Sequence, residues 1–442
     1  MTDAVQDKSR IGRRTAKAVL LLLLAGGFGV TLLVLYPGYL TIDARYVYTD
    51  VKAWHFGDWQ SPVMVALWRI IDPIAPGSAS IFLLTAALYW LAFGILAFIA
   101  LRSSIWLALA TPLLAFAPPA FLFLGVIWRD VLFGVVWLLA AVLALAASER
   151  RPVLRVALQA LAFFLIAFGV LLRPNAVIAA PLLAIYAIWP SSFSLKRAAI
   201  AFFPLAACFI ALVPFVYYGL FAAERQNVLH AILVFDLGGI THFTATNQFP
   251  FEWSPDETAL LKSECYDPTQ WDSYWTRPPC SFVMQRLERP DDVIFGRARL
   301  VHAWWDAVTA HPLAYLEHRA TFMGQFLARS NLVLPVTAWT DAGASYGNTP
   351  YRKPLLRLYE ALQPTLLFRP GFWLLLAFVI GALSWRRKAT RAGAFAVAVS
   401  ACAAVYVLSF FVVGVGADFR YAYWCVLGTL AAAVAAGACR MG

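Results

Sequence analysis

Long apolar runs separated by short polar stretches set the pattern of this chain. A helix needs about 20 residues to cross the hydrocarbon of a bilayer. On that measure ten spans can be read, at 18–35, 81–101, 105–127, 131–147, 156–172, 176–189, 198–220, 366–385, 394–415 and 421–438. The sixth is short and reads as partly re-entrant. The third carries Pro112, Pro118 and Pro119, which predict a kink or an early end. Two polar stretches stand out, a first loop at 36–80 and an insertion at 221–363. They divide the chain into an N-terminal transmembrane module at 1–220, a loop domain at 221–363 and C-terminal transmembrane helices at 364–442.

Composition sharpens the class. Of 442 residues, 62% are hydrophobic and only 13% charged, with mean hydropathy +0.71. Soluble domains hold about 25% charged residues. The expected fold is therefore an all-α polytopic membrane protein of about ten transmembrane helices, and water-soluble classes drop out.

Charge then gives an orientation. If the spans alternate from a cytoplasmic N-terminus, 16 of the 35 basic residues fall on the cytoplasmic side. Their only acidic company there is Asp3, Asp7 and Glu149. This is a positive-inside pattern, and it accounts for the net charge of +11 without nucleic acid as a partner. The basic residues before the first span look like a signal peptide, but "YPGYLTID" follows with no small-residue cleavage site. We read an uncleaved first helix in a plasma (inner) membrane, with the large loop extracytoplasmic.

The same alternation puts 21 of 24 acidic residues and all six histidines outside. Protonatable groups serve acid–base and metal chemistry, so any chemistry belongs on that face. Four short motifs lie at outer span ends: Asp43 in "LTIDARY", Arg129 and Asp130 in "IWRDVLF", Arg173 and Asn175 in "LLRPNAV", and Asp418, Arg420 and Tyr421 in "GADFRYAYW". Single charges there also arise from snorkelling and interfacial belts, but four on one side can converge on one cavity. Asp43 ranks first among the acids because it lies seven residues beyond Tyr36, near the membrane end of span one. Asp50 and Asp58 lie further out, solvated or paired with Lys52 or Arg69, and His55 stands between them. His242 and Asp236 can approach from the large loop, while His311 and His318 read as structural. That loop holds Trp253, Trp271, Trp275, Trp304, Trp305 and Trp339, and a Cys265–Cys280 disulfide is expected in an outer compartment. The remaining cysteines read as packing residues, and no zinc-type spacing occurs. An acid acting on a hydroxyl, arginines suited to a phosphate and tryptophans suited to sugar faces together describe glycosyl transfer from a lipid phosphate.

Taken in order, "YLTIDARY", "DWQSPVMVALW", "WRDVLFG", "LLRPNAV", "HPLAYLEHRATFM" and "DFRYAYW" resemble the GT-C superfamily of membrane glycosyltransferases, particularly its mannosyltransferase-like bacterial members. The resemblance covers nearly the whole chain. It implies a polyprenyl-phosphate-linked sugar donor and a lipid, glycan or protein acceptor. Asp43 matches the first-loop catalytic acid. Asp130 matches a second acidic position that assists with metal or acceptor in some relatives. Arg173 and Arg420 match positions suited to the carrier phosphate. Arg129, Asn175, Asp418, Tyr421, His55 and Asp58 join them as substrate-binding candidates. This chain departs from the pattern in lacking an Asp-Glu pair in the first loop and in reading "DWQSP" where many relatives have His-Pro-Pro. The base is thus open among Asp43, Asp50 and Asp58, and a divalent cation stays open as cofactor. Two other readings compete, a flippase or transporter of lipid-linked glycans and a polymerase or ligase of them. Transporters place ionisable groups at midplane and often show repeats, whereas these span interiors are nearly uncharged and no repeat is visible.

Overall fold

The computed structural model describes residues 2–328 and 350–441. Trp339 lies outside the described residues. Nearly all regular structure is helical. The N-terminal module runs α1 (Thr2–Leu35), β1 (Tyr39–Leu40), α2 (Ile42–Ala53), α3 (Pro62–Ile71), α4 (Ser78–Ala100), α5 (Ile105–Leu114), α6 (Pro118–Leu124), β2 (Val126–Ile127), α7 (Arg129–Ala147), α8 (Pro152–Leu172), α9 (Ala180–Ile188) and α10 (Leu195–Pro214). The insertion contributes α11 (His230–Thr244), α12 (Pro255–Ser263), α13 (Phe282–Leu287), α14 (Ala298–Ala310), α15 (Pro312–Ala328) and α16 (Arg352–Leu362). The chain closes with α17 (Pro370–Trp385), α18 (Arg391–Val413) and α19 (Tyr423–Met441).

Among the described residues, seven helices are long and apolar enough to cross a membrane: Arg14–Leu35, Ser78–Ala100, Arg129–Ala147, Pro152–Leu172, Leu195–Leu220, Arg391–Val413 and Phe419–Cys439. The third expected span is the pair α5 and α6, bent by 51°. Pro118 and Pro119 open α6, where missing N–H groups cost nothing, so the chain restarts a helix there instead of continuing one. The sixth expected span is a short 3-10 turn, Pro174–Ile178, followed by the nine residues of α9. The eighth, α17, has 16 residues. The count of ten is thus not reached by full-length helices among the described residues.

α7 lies at the centre, with all but its first residue buried. Close approach is set by glycine. A Cβ on Gly169 of α8 would stand 2.2 Å from the Trp137 indole of α7, and one on Gly134 of α7 would stand 2.8 Å from the Tyr423 ring. The helix ends fall into two groups. At one, Arg102 pairs with Glu149, Arg387 donates to the Cys439 carbonyl, and the Phe193 N–H donates to the Lys388 carbonyl at 2.8 Å. At the opposite one, Asp130 pairs with Arg173, Asp43 with Arg420, and the Ala417 N–H donates to the Thr269 carbonyl.

A candidate active site at one end of the spans

A two-residue parallel ladder builds the site. Tyr39 pairs with Val126 and Leu40 with Ile127. Gly38 permits it: its φ of +91° suits glycine, and a Cβ there would meet Ile127 at 2.8 Å. The ladder sets the N-terminus of α2 beside that of α7. Thr41 caps α2 by accepting the Ala44 N–H at 3.1 Å, and it also accepts the Trp128 indole N–H at 2.9 Å. Asp43 thus sits in the first turn of a helix whose cap is bonded to Trp128, the residue before α7.

Arg420 comes from the turn that starts the last span and brings these elements together. Its guanidinium donates to Asp43 Oδ2 at 2.6 Å and meets Asp418 Oδ2 at 3.2 Å. It stacks on Trp128 at 4.9 Å and on Tyr421 at 5.2 Å. Arg173 stacks on Tyr421 at 4.9 Å and pairs with Asp130 at 3.0 Å. Trp128, Arg420, Tyr421 and Arg173 thus form one ladder of alternating rings and guanidinium planes.

Four separate connections therefore meet, and seven sequence candidates stand in or beside the cluster: Asp43, Arg129, Asp130, Arg173, Asp418, Arg420 and Tyr421. They are not equivalent. Asp43 keeps half its side chain exposed, and only one of its oxygens is bonded to Arg420. Arg173 and Asp130 are buried against each other, at 9% and 4% exposure, so this arginine is committed to a carboxylate. Asn175 and Arg173 both face the Tyr406 hydroxyl. Arg129 donates to the Trp59 carbonyl at 2.9 Å, and among the described residues no carboxylate lies within ion-pair distance of it.

His55 and Asp58 make other contacts. Asp58 accepts the Tyr218 hydroxyl and the Gln226 N–H, both at 2.8 Å. His55 bridges Asp50 at 3.0 Å and Glu224 at 3.3 Å. These contacts fasten the first loop to the chain beyond α10. The Asp50 carboxylate holds the imidazole above the usual histidine range. Lys52 pairs with Asp72, and Arg69 donates to the Val51 carbonyl, so neither meets Asp50 or Asp58 as expected.

The loop domain reaches the cluster through residues 269–271. The Trp271 N–H donates to the Val415 carbonyl at 2.9 Å, just ahead of Asp418. Asp272, passed over in the sequence among many loop acids, lies here. Burial pushes its carboxyl up; Arg277 opposes this and Asp43 adds to it. The expected Cys265–Cys280 disulfide is present. Asp236 does not approach the cluster. It is buried with Arg319 at 2.6 Å, His318 at 3.3 Å and the Trp304 indole N–H at 2.7 Å. Arg319 in turn donates to the Gly414 carbonyl at 2.6 Å, which fastens the loop domain to the end of α18. His318 is structural as expected, with burial lowering its pKa toward the neutral ring. His242 stacks on Tyr266. Among the described residues, no three His, Cys, Asp or Glu side chains are grouped to hold a metal ion.

Fold and site define a class, an α-helical multi-pass membrane protein with a charged cluster at one end of its spans. The chain matches no family model, and no curated protein and no solved structure matches it.

Proposed function

We propose that the protein is a membrane glycosyltransferase that moves a sugar from a polyprenyl-phosphate carrier to a lipid, glycan or protein acceptor at the extracytoplasmic face of the inner membrane. One observation carries the reading. A half-exposed carboxylate, Asp43, and an arginine with no ion-paired carboxylate among the described residues, Arg129, share one cluster at the span ends. A carrier phosphate anchored by its lipid tail arrives at this level, and Arg129 is a cation suited to take it. Asp43, oriented by Arg420, has an oxygen open to an acceptor hydroxyl. The acceptor oxygen bonds to the anomeric carbon as its proton passes to Asp43. The bond from that carbon to the phosphate oxygen breaks, and its electron pair leaves on the polyprenyl phosphate, where the arginine charge stabilises it. Among the described residues the buried charges are Asp72, Asp130, Arg173, Asp236, His318 and Arg319, none of them mid-span, which counts against ion-coupled transport.

The test uses membranes from cells making wild type or Asp43→Asn, incubated with radiolabelled polyprenyl-phosphate sugars. Wild type should move label from the carrier to a new acceptor. Loss of a general base should slow this by roughly 10²–10⁴-fold. Full activity in the variant removes Asp43 from the chemistry. Intact donor in wild type, with lipid-linked glycan crossing the membrane, replaces the transferase by a flippase.

A further inference from the structure

Three indoles meet where the first loop touches the loop domain. Trp59 lies 5.8 Å from Trp271 and 5.1 Å from Trp275, and Trp271 and Trp275 are 5.2 Å apart. Trp271 is buried, Trp59 is half-buried, and Trp275 is 40% exposed. A large exposed indole propped on two others offers a rigid flat surface with little left to order on binding.

Beside it stands Asp272. The chain turns here as a 3-10 helix, Trp271–Ser273, and the Trp275 N–H bonds back to the Asp272 carbonyl at 3.1 Å. Residues three apart in such a turn eclipse, so Asp272 and Trp275 share a face. The carboxylates around it each have a partner. Asp43 and Asp418 are held by Arg420, Asp130 by Arg173, and Asp267 by Thr269 and Gln270. The Asp272 carboxylate has no hydrogen-bond or ion-pair partner among the described residues, although Asp43, Arg420, Arg277 and Asp267 all act on it electrostatically. An ionised carboxylate can accept several hydrogen bonds and has no donor of its own.

The position relative to phosphate is given by Trp59. Its carbonyl takes the Arg129 guanidinium N–H, and its ring belongs to the indole cluster. A group one bond away from a phosphate on Arg129 therefore lies within reach of the indoles.

We infer that Trp59, Trp275 and Asp272 form a subsite for the pyranose of the lipid-linked donor. The apolar ring face rests on the indoles, and hydroxyls donate to the Asp272 carboxylate. This is the division of labour of small-molecule sites, in which apolar walls supply contact and a few polar groups fix orientation. The inference rests on the transferase reading, and it makes the loop domain the part that reads the sugar while the spans hold the carrier.

The experiment compares two tritiated lipids on the full chain in nanodiscs, bare polyprenyl phosphate and polyprenyl phosphate carrying mannose or glucose. Wild type should bind at least one sugar-bearing form more tightly than the bare carrier. Trp275→Ala and Asp272→Asn should each shrink that preference on the order of tenfold while leaving bare-carrier affinity unchanged, which also reports an intact fold. Arg129→Ala should weaken both lipids alike. If the preference survives in Trp275→Ala and Asp272→Asn, or wild type binds bare and sugar-bearing lipid equally, the subsite is wrong and the carrier reading stands. If wild type binds neither lipid, the transferase reading itself falls.

Discussion

At the scale of the residue, the cluster depends on guanidinium geometry. Arg420 serves two carboxylates through its edge while Trp128 and Tyr421 cover its faces. Lysine has the charge but neither the plane nor the five-donor fork. Arg420→Lys should therefore keep the fold but release Asp43, with turnover of labelled donor falling about 10–100-fold, as misplaced catalytic groups do. Retained turnover would make Arg420 a mere counter-charge. Asp43, Arg173 and Arg420 were legible in the sequence because a charge beside an apolar run is conspicuous. Asp272 was not, since it is one acid among many in a polar insertion, and that its carboxylate has no partner among the described residues is a fact of space.

Elements position these residues through short contacts. The ladder of β1 and β2 has two residues per strand, yet it sets the register of α2 against α7 and so the place of Asp43. A run that short leaves no periodic trace. The α7–α8 contact is equally local, because Gly169 leaves the room that Trp137 fills, and Trp137 donates to the Ile166 carbonyl at 3.1 Å. Gly169→Leu should force the helices apart and cost about 1–3 kcal/mol, the usual penalty for overpacking a core. A lowered melting temperature in detergent, against an unchanged one for a change at exposed Phe203, would bear this out. An unshifted melting temperature for Gly169→Leu would mean the interface yields without cost. The prolines of the third span did announce its break, because a missing N–H is visible in the residue type itself.

For the whole molecule, the two sets of helix ends repeat the division made by charge: residues on the basic side contact one another, and so do those on the acidic side. We expect the acidic side to face out of the cytoplasm. With Cys208, Cys402, Cys425 and Cys439 replaced, a membrane-impermeant maleimide should label Thr276→Cys on intact cells and reach Ser103→Cys only after lysis; both positions are exposed. The reverse pattern would turn the site toward the cytoplasm and exclude an outer-face donor.

The sequence by itself determined the membrane class, the apolar helices, the uncharged span interiors and the ends where charge collects. Each follows from local composition, because a lipid-embedded segment must be apolar and must satisfy its own backbone. Tertiary structure decided the pairing. It placed Arg420 on Asp43 across 377 residues, committed Arg173 to Asp130, left Arg129 with no ion-paired acid among the described residues, and tied His55 and Asp58 to the chain beyond α10. It also brought Trp59 to Trp275 and set Asp272 beside them. Side-chain partnership depends on distances between chain segments far apart in sequence, and hydrophobic patterning carries no record of those distances.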